Sequence, residues 1–201
     1  MKTATETAVP LLLSAPMARA YGADLKDRTR RGLRVPKRWG DVDLREYDLE
    51  YHYPVTGEVS FSHKVTKERV VFRLPYRVGR TIVFKETWCE YRKGRYIYRA
   101  DYDQFTPISD GIGGPWKSAL FMPIIAARFT PRILAVRVER LLDITEEDAI
   151  AEGMQAPGIP AALTNVSAFL TYWDSLHGPG AHRENPWVAC VTFERFQGAT
   201  K

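Results

Sequence analysis

The sequence predicts an α+β domain built on a small, partly closed β-barrel, with two or three short helices and a β-rich insertion. Three observations carry this. Strand-like runs outnumber helical ones, about five to seven against two or three. The strands do not alternate with helices in βαβ order, which argues against a parallel doubly wound sheet. Finally, 201 residues that are 45% hydrophobic and 12% aromatic have the composition of one packed domain.

Residues 1–10 read as a polar, flexible leader, 11–196 as the domain and 197–201 as a tail. The run Leu11–Leu13 reads as a short buried strand. Pro16 then suits the first turn of a short helix over MARAYGAD, because its missing N–H would be unpaired there anyway. Lys26–Arg38 holds seven basic side chains and one acid. With a net charge of +5 and a pI near 9.2, that local excess favours anionic partners such as nucleotides or nucleic acid.

Residues 36–76 form an elaboration. The tyrosine-rich DLREYDLEYHYP is followed by a Thr56-Gly57 turn and two alternating runs, VSFSHKV and ERVVFRL, which together suit a meander. Further strands are expected around Ile82–Phe84, over RYIYRADY, from Ile133 through Val138, and from Trp187 to Phe196, where the pattern alternates. The stretches 104–115 and 154–164 are rich in Gly and Pro and read as loops. Thr145-Glu-Glu-Asp148 has the form of a capping box opening a short helix that stops at Gly153. Val166, Phe169, Leu170, Trp173 and Leu176 recur at helical spacing up to Gly178, and this spacing marks Phe169, Trp173 and Leu176 as core.

Several chemistries are disfavoured. Cys89 and Cys190 are far apart with no CxxC spacing, and the four histidines show no ligand pattern, so no metal and no cofactor is expected. That also disfavours a metal-dependent nuclease. The AVPLLL run is interrupted by Pro10 and Pro16 and flanked by Glu6, a poor match to a secretion signal. No run reaches bilayer-spanning length, and a soluble cytoplasmic protein without membrane contact is expected.

Ser14-Ala-Pro-Met17 followed by Lys26-x-x-Thr29-Arg-Arg, then Gly79…Lys85-Glu-Thr-Trp88, Trp116-Lys-Ser…Phe121-Met-Pro123, Ile144-Thr-Glu-Glu-Asp-Ala-Ile-Ala-Glu152-Gly and Asn185-Pro-Trp-Val occur in that order. In this order they resemble the ASCH group of the PUA-like superfamily, particularly its bacteriophage versions. The likeness covers most of 11–196 and leaves out 36–76. It departs at Gly79-Arg80, where the family usually has Gly-Asp, and at Asp24-Leu-Lys26-Asp, where it often has Gly-Arg-Lys-Thr.

Some small bacterial proteins of this fold are amidohydrolases that deacetylate N4-acetylcytidine with a Lys, a Thr three residues on, and a Glu at a helix end. By position the resemblance implies Lys26, Thr29 and Glu152 as catalytic residues. A threonine hydroxyl needs a base to become a nucleophile, a desolvated lysine can be that base, and a glutamate can carry the proton to the leaving amine. Arg30 is a candidate oxyanion donor.

Arg28, Arg30, Arg31 and Arg34, with Arg128, suit phosphate contacts, and Trp88, Trp116 and Tyr91 suit base stacking. Each has a plainer alternative. Lys26 and Thr29 are also one helical turn apart, as in an exposed helix end; Glu152 before a glycine suits a solvated helix terminus; the tryptophans suit a barrel core. Three functions therefore stand side by side: hydrolysis of an acylated pyrimidine nucleoside, non-catalytic reading of RNA or modified DNA in the same cleft, and capture of a protein partner through 36–76.

Overall fold

A computed structural model describes residues 8–102, 115–155 and 164–196. Most of the two loop-like stretches, part of the leader and the whole tail lie outside the described residues. Within them the chain is a mixed α+β fold dominated by strands, with three α-helices and several sheets.

The central sheet has β10 (Trp187–Phe193) in the middle, with β9 (Ile133–Arg140) and β2 (Arg28–Gly32) antiparallel on either side. The closing strand does not alternate as its sequence suggests. Val188, Ala189, Cys190 and Val191 are all buried, because this sheet is covered on both faces. β2 was not legible as a strand at all. Its sequence, RTRRG, carries no apolar period, yet Thr29 and Arg30 are buried within it.

A second, two-stranded sheet pairs β1 (Val9–Leu12) parallel to β6 (Ile82–Lys85). Main-chain bonds join it to the approach to β9, where Ile82 N–H donates to the Pro131 carbonyl at 2.8 Å and Phe84 N–H to that of Phe129 at 3.1 Å. The two sheets thus make one continuous wall. Among the described residues none of the sheets closes into a barrel. The outer edges of β1 and β2 share no ladder among the described residues, and the Arg31 guanidinium reaches across to the Leu12 carbonyl at 2.8 Å.

The 36–76 stretch builds its own antiparallel meander of β3 (Tyr47–Tyr53), β4 (Glu58–His63) and β5 (Arg69–Arg73). Gly57, at φ +74°, makes the β3–β4 turn where the Thr-Gly pair predicts one. Val59, Phe61, Val70 and Phe72 from this meander join the main core. A further hairpin pairs β7 (Trp88–Arg92) with β8 (Arg95–Tyr98).

Helix α1 (Ala15–Gly22) follows β1 and carries Pro16 in its first turn. It delivers Tyr21 into an edge-to-face cluster with Phe84, Phe129 and Phe193, at centroid separations of 4.9, 5.1 and 5.7 Å. Helix α2 (Glu146–Ala151) is capped by Thr145, whose hydroxyl accepts from Asp148 N–H at 3.1 Å. The expected reciprocal half of the capping box is missing, because the Asp148 carboxylate is turned to arginines. Helix α3 (Asn165–His177) stops at Gly178, φ +109°. No helix among the described residues is long and apolar enough to cross a membrane.

Candidate functional site

A cavity of about 300 Å³ opens between the end of β1, the strand β2 and one face of α3. Lys26, Thr29, Arg30, Arg31 and Glu152 all line it, so the sequence-predicted Lys/Thr/Glu set and two of the candidate arginines meet at one place. The opposite wall is Phe169, Tyr172, Trp173 and Leu176, the i, i+3, i+4, i+7 stripe of α3.

Local backbone features put Lys26 there. After α1, Asp24 takes a left-handed conformation (φ +59°) that turns the chain back under the helix. Asp27 N–H then donates to the Ala151 carbonyl at 3.0 Å and ties this turn to the end of α2. Gly153, at φ +90°, lets the two segments approach: a Cβ there would lie 2.9 Å from Ala20 Cβ and 3.4 Å from Lys26 Cβ. Lys26 is therefore neither on a helix nor exposed. Its relative exposure is 2%, and that of Glu152 is 3%.

The Lys26 ammonium donates to three oxygens: the carbonyl of Arg28 at 2.6 Å, the carbonyl of Glu152 at 2.7 Å and Glu152 Oε2 at 3.0 Å. Three donors meet three acceptors, which suits the charged form; a neutral amine would turn a lone pair toward one of them. Burial pushes the Lys26 pKa below its ordinary value, while the neighbouring Glu152 carboxylate opposes the shift. The Glu152 contact also satisfies a carbonyl that the end of α2 would otherwise leave unpaired.

Arg30 lies beside this pair with a fully buried side chain. Its guanidinium donates to Glu139 Oε1 at 2.6 Å, to Glu152 Oε1 at 3.4 Å and to the Asp148 carboxylate. Asp148 also binds Arg28, and Arg137 at 3.2 Å. Four cations (Lys26, Arg28, Arg30, Arg137) thus face three carboxylates, so the cluster carries a positive excess beside the cavity. No cluster of three or more metal-ligating side chains occurs among the described residues.

Toward the mouth, Tyr172 Oη and Ser14 Oγ are hydrogen-bonded at 2.8 Å, and burial raises the Tyr172 pKa. His177 lies against Trp173 with ring centroids 4.2 Å apart. Its pKa is lowered by burial and then by the charges of Arg31 and Arg34. Leu176, expected in the core, is 52% exposed at the rim.

The other candidates lie elsewhere. Trp88 is buried in a separate small cluster with Met122 and Ala126, and Lys117 Nζ sits 4.8 Å from its ring. Trp116 is half-buried against Tyr102, and Tyr91 is exposed on β7. Arg128 does not extend a basic face. It forms a two-pronged pair with the buried Glu86 at 2.8 and 2.9 Å and a third bond to Asp101 at 2.7 Å. Arg28 is engaged with Asp148, and Arg34 lines an adjoining cleft.

Sequence reasoning missed Glu139, Asp148, Tyr172 and His177. For Asp148 a signal existed: it stands four residues before Glu152, the residue that caps α2, so both acids fall on one side of that helix, and both are buried. Comparison of the chain with protein-family models, curated proteins and solved structures gave no match.

Proposed function

We propose that this protein is an ASCH-like amidohydrolase of PUA-like fold that removes an acyl group from the exocyclic nitrogen of a modified pyrimidine nucleoside. The observation that carries the reading is the convergence of Lys26, Thr29 and Glu152 on one nucleoside-scale cavity with an aromatic wall. The fold assignment is supported by the continuous wall of β1–β6 and β9–β10–β2, with α1 following β1 and α2 following β9.

In this reading Glu152 Oε2, 3.0 Å from Nζ, takes a proton from Lys26 once substrate has excluded water. The freed amine deprotonates Thr29 Oγ1, which attacks the acyl carbon. Arg30 and Arg31 offset the negative charge of the carbonyl oxygen. The protonated Glu152 gives its proton to the departing amine, the C–N bond breaks, and water hydrolyses the Thr29 ester. Tyr172 and Trp173 flank the planar base.

One observation favours a second reading, a non-catalytic binder of the same ligand class. All three Lys26 donors are occupied, as in a structural cation. Hydrolysis of N4-acetylcytidine by purified protein, beside Lys26→Ala, Thr29→Ala and Glu152→Ala, separates the two. The amidohydrolase reading expects turnover that all three substitutions abolish. A folded protein with no turnover, whose Thr29→Val variant still binds the nucleoside, leaves the binder.

A further inference from the structure

The inner cavity continues outward. Arg31, Trp173 and His177 line it and also line a second cleft of about 650 Å³. The floor of this outer cleft is Gly32–Arg34, where β2 ends; one wall is Arg73–Tyr76, at the end of β5; the other includes Ala181, Glu184 and Pro186. Three arginines therefore converge from two distant parts of the chain.

Their charges are not consumed locally. Arg31 donates to a main-chain carbonyl, that of Leu12. Among the described residues Arg73 has only a long contact, 3.9 Å, to Glu58, with 70% of its side chain exposed. Arg34 is exposed, and no carboxylate pairs with it among the described residues. The one acidic side chain lining the cleft, Glu184, is engaged with Arg45 at 3.2 Å. Burial raises the Tyr76 pKa and lowers that of His177, and the charges of Arg31 and Arg34 pull both downward, so these four side chains share one field.

We propose that the outer cleft binds the phosphate of a nucleotide whose base and acyl group fill the inner cavity, making the substrate a nucleotide rather than a free nucleoside. This rests on the nucleoside reading of the inner cavity. Guanidinium groups match phosphate oxygens in geometry and charge, and a tyrosine hydroxyl adds a donor. The Trp173–His177 pair stands at the doorway between the compartments, where a base or sugar passes from one to the other. The 36–76 meander thereby acquires a task, since it supplies Arg73 and Tyr76. The phosphate has two chemical sources, a mononucleotide or a single-stranded RNA.

Calorimetric titration of the whole chain carrying Thr29→Val, so that ligand is not consumed, tests this. The ligands are N4-acetylcytidine, its 5′-monophosphate and a short single-stranded RNA containing one N4-acetylcytidine. The monophosphate is expected to bind about tenfold tighter than the nucleoside, and the advantage should shrink as salt rises. Adding Arg34→Gln and Arg73→Gln should bring the two constants to within about twofold. RNA binding tighter than the monophosphate identifies a strand as the source; the reverse order identifies a free nucleotide. Equal affinities for nucleoside and monophosphate, or an advantage undiminished by loss of both arginines, would overturn the phosphate site and leave the inner cavity standing. Failure of all three ligands to bind overturns the inner-cavity reading itself, and this inference with it.

Discussion

Lys26 meets Glu152 twice, once at the main-chain carbonyl at 2.7 Å and once at the carboxylate at 3.0 Å. The first contact finishes a helix end and the second pairs two buried charges. Glu152→Gln keeps the first and removes the anion from the second. It is expected to cut turnover by at least about 100-fold. It should also cost about 3 kcal/mol of stability, because Lys26 is left as a buried cation facing neutral oxygens. Urea unfolding checks this, and an unchanged midpoint would show that the ion pair has no such role. Adding Lys26→Met should restore part of the stability and none of the turnover.

The pH dependence follows from burial, which lowers the Lys26 pKa against the opposing pull of Glu152. The folded protein then holds this proton less tightly than the unfolded chain does. Between the folded pKa and the ordinary value of 10.5 the unfolded state binds more protons, so stability rises with pH across that window. Below the folded pKa the cost of the buried charge is fully present. Because the proposed mechanism begins with a proton on the Lys26–Glu152 pair that ends on the leaving amine, kcat/KM should fall as pH climbs through the same folded pKa. Unfolding midpoints taken between about pH 7 and pH 10 should show the rise, and Lys26→Met should flatten it.

Arg30 is the common partner of Glu139, Asp148 and Glu152. Replacing it by leucine removes the one cation shared by three carboxylates in or beside the core and leaves them to Lys26, Arg28 and Arg137 alone. The expected loss is about 3–5 kcal/mol, enough to threaten folding. Arg30→Lys keeps the charge but has no planar fork to reach three acceptors. It should fold with a stability between wild type and Arg30→Leu; a lysine variant as stable as wild type would mean that charge alone matters.

Arg128→Ala should behave differently from the cavity arginines. Glu86 is 1% exposed, and burial raises its pKa even though Arg128 pulls it down. Removing Arg128 should cost about 3 kcal/mol. The folded pKa of Glu86 lies above its ordinary 4.5, so stability falls as pH climbs from 4.5 to that pKa. The fall should extend to higher pH in the variant. Ligand affinity of the folded fraction should be unaltered, and a large loss would return Arg128 to the binding surface.

The limits of the sequence are physical. β4, β5, β9 and α3 were legible because their burial is hydrophobic and periodic, and α2 because a cap and a glycine bracket it. β2 was opaque because its burial is ionic. Arg30 is inside on account of Glu139, Asp148 and Glu152, each more than 100 residues away, and no window on the sequence contains both halves of that balance. Shorter separations hide the partners of Trp88, Trp116 and Arg128 as well, residue types that suit nucleic acid but whose neighbours in space direct them to packing and ion pairs. Lys26, Thr29 and Glu152 were brought forward by family resemblance, and the structure gathers them in one cavity. Their spacing alone fits an exposed helix end equally well.

The gap between β1 and β2 has a consequence for selectivity. A closed barrel has a fixed circumference, whereas among the described residues it is an arginine side chain, Arg31, and not a strand ladder, that spans the opening beside the cavity. Its width can follow a rotamer change in place of a rearranged strand ladder, so the cavity should yield to acyl groups of different length more readily than to a bulkier ring. Relative kcat/KM for acetyl, propionyl and butyryl cytidines would measure that tolerance, and a steep drop after acetyl would mean that the gap is held as firmly as a paired strand.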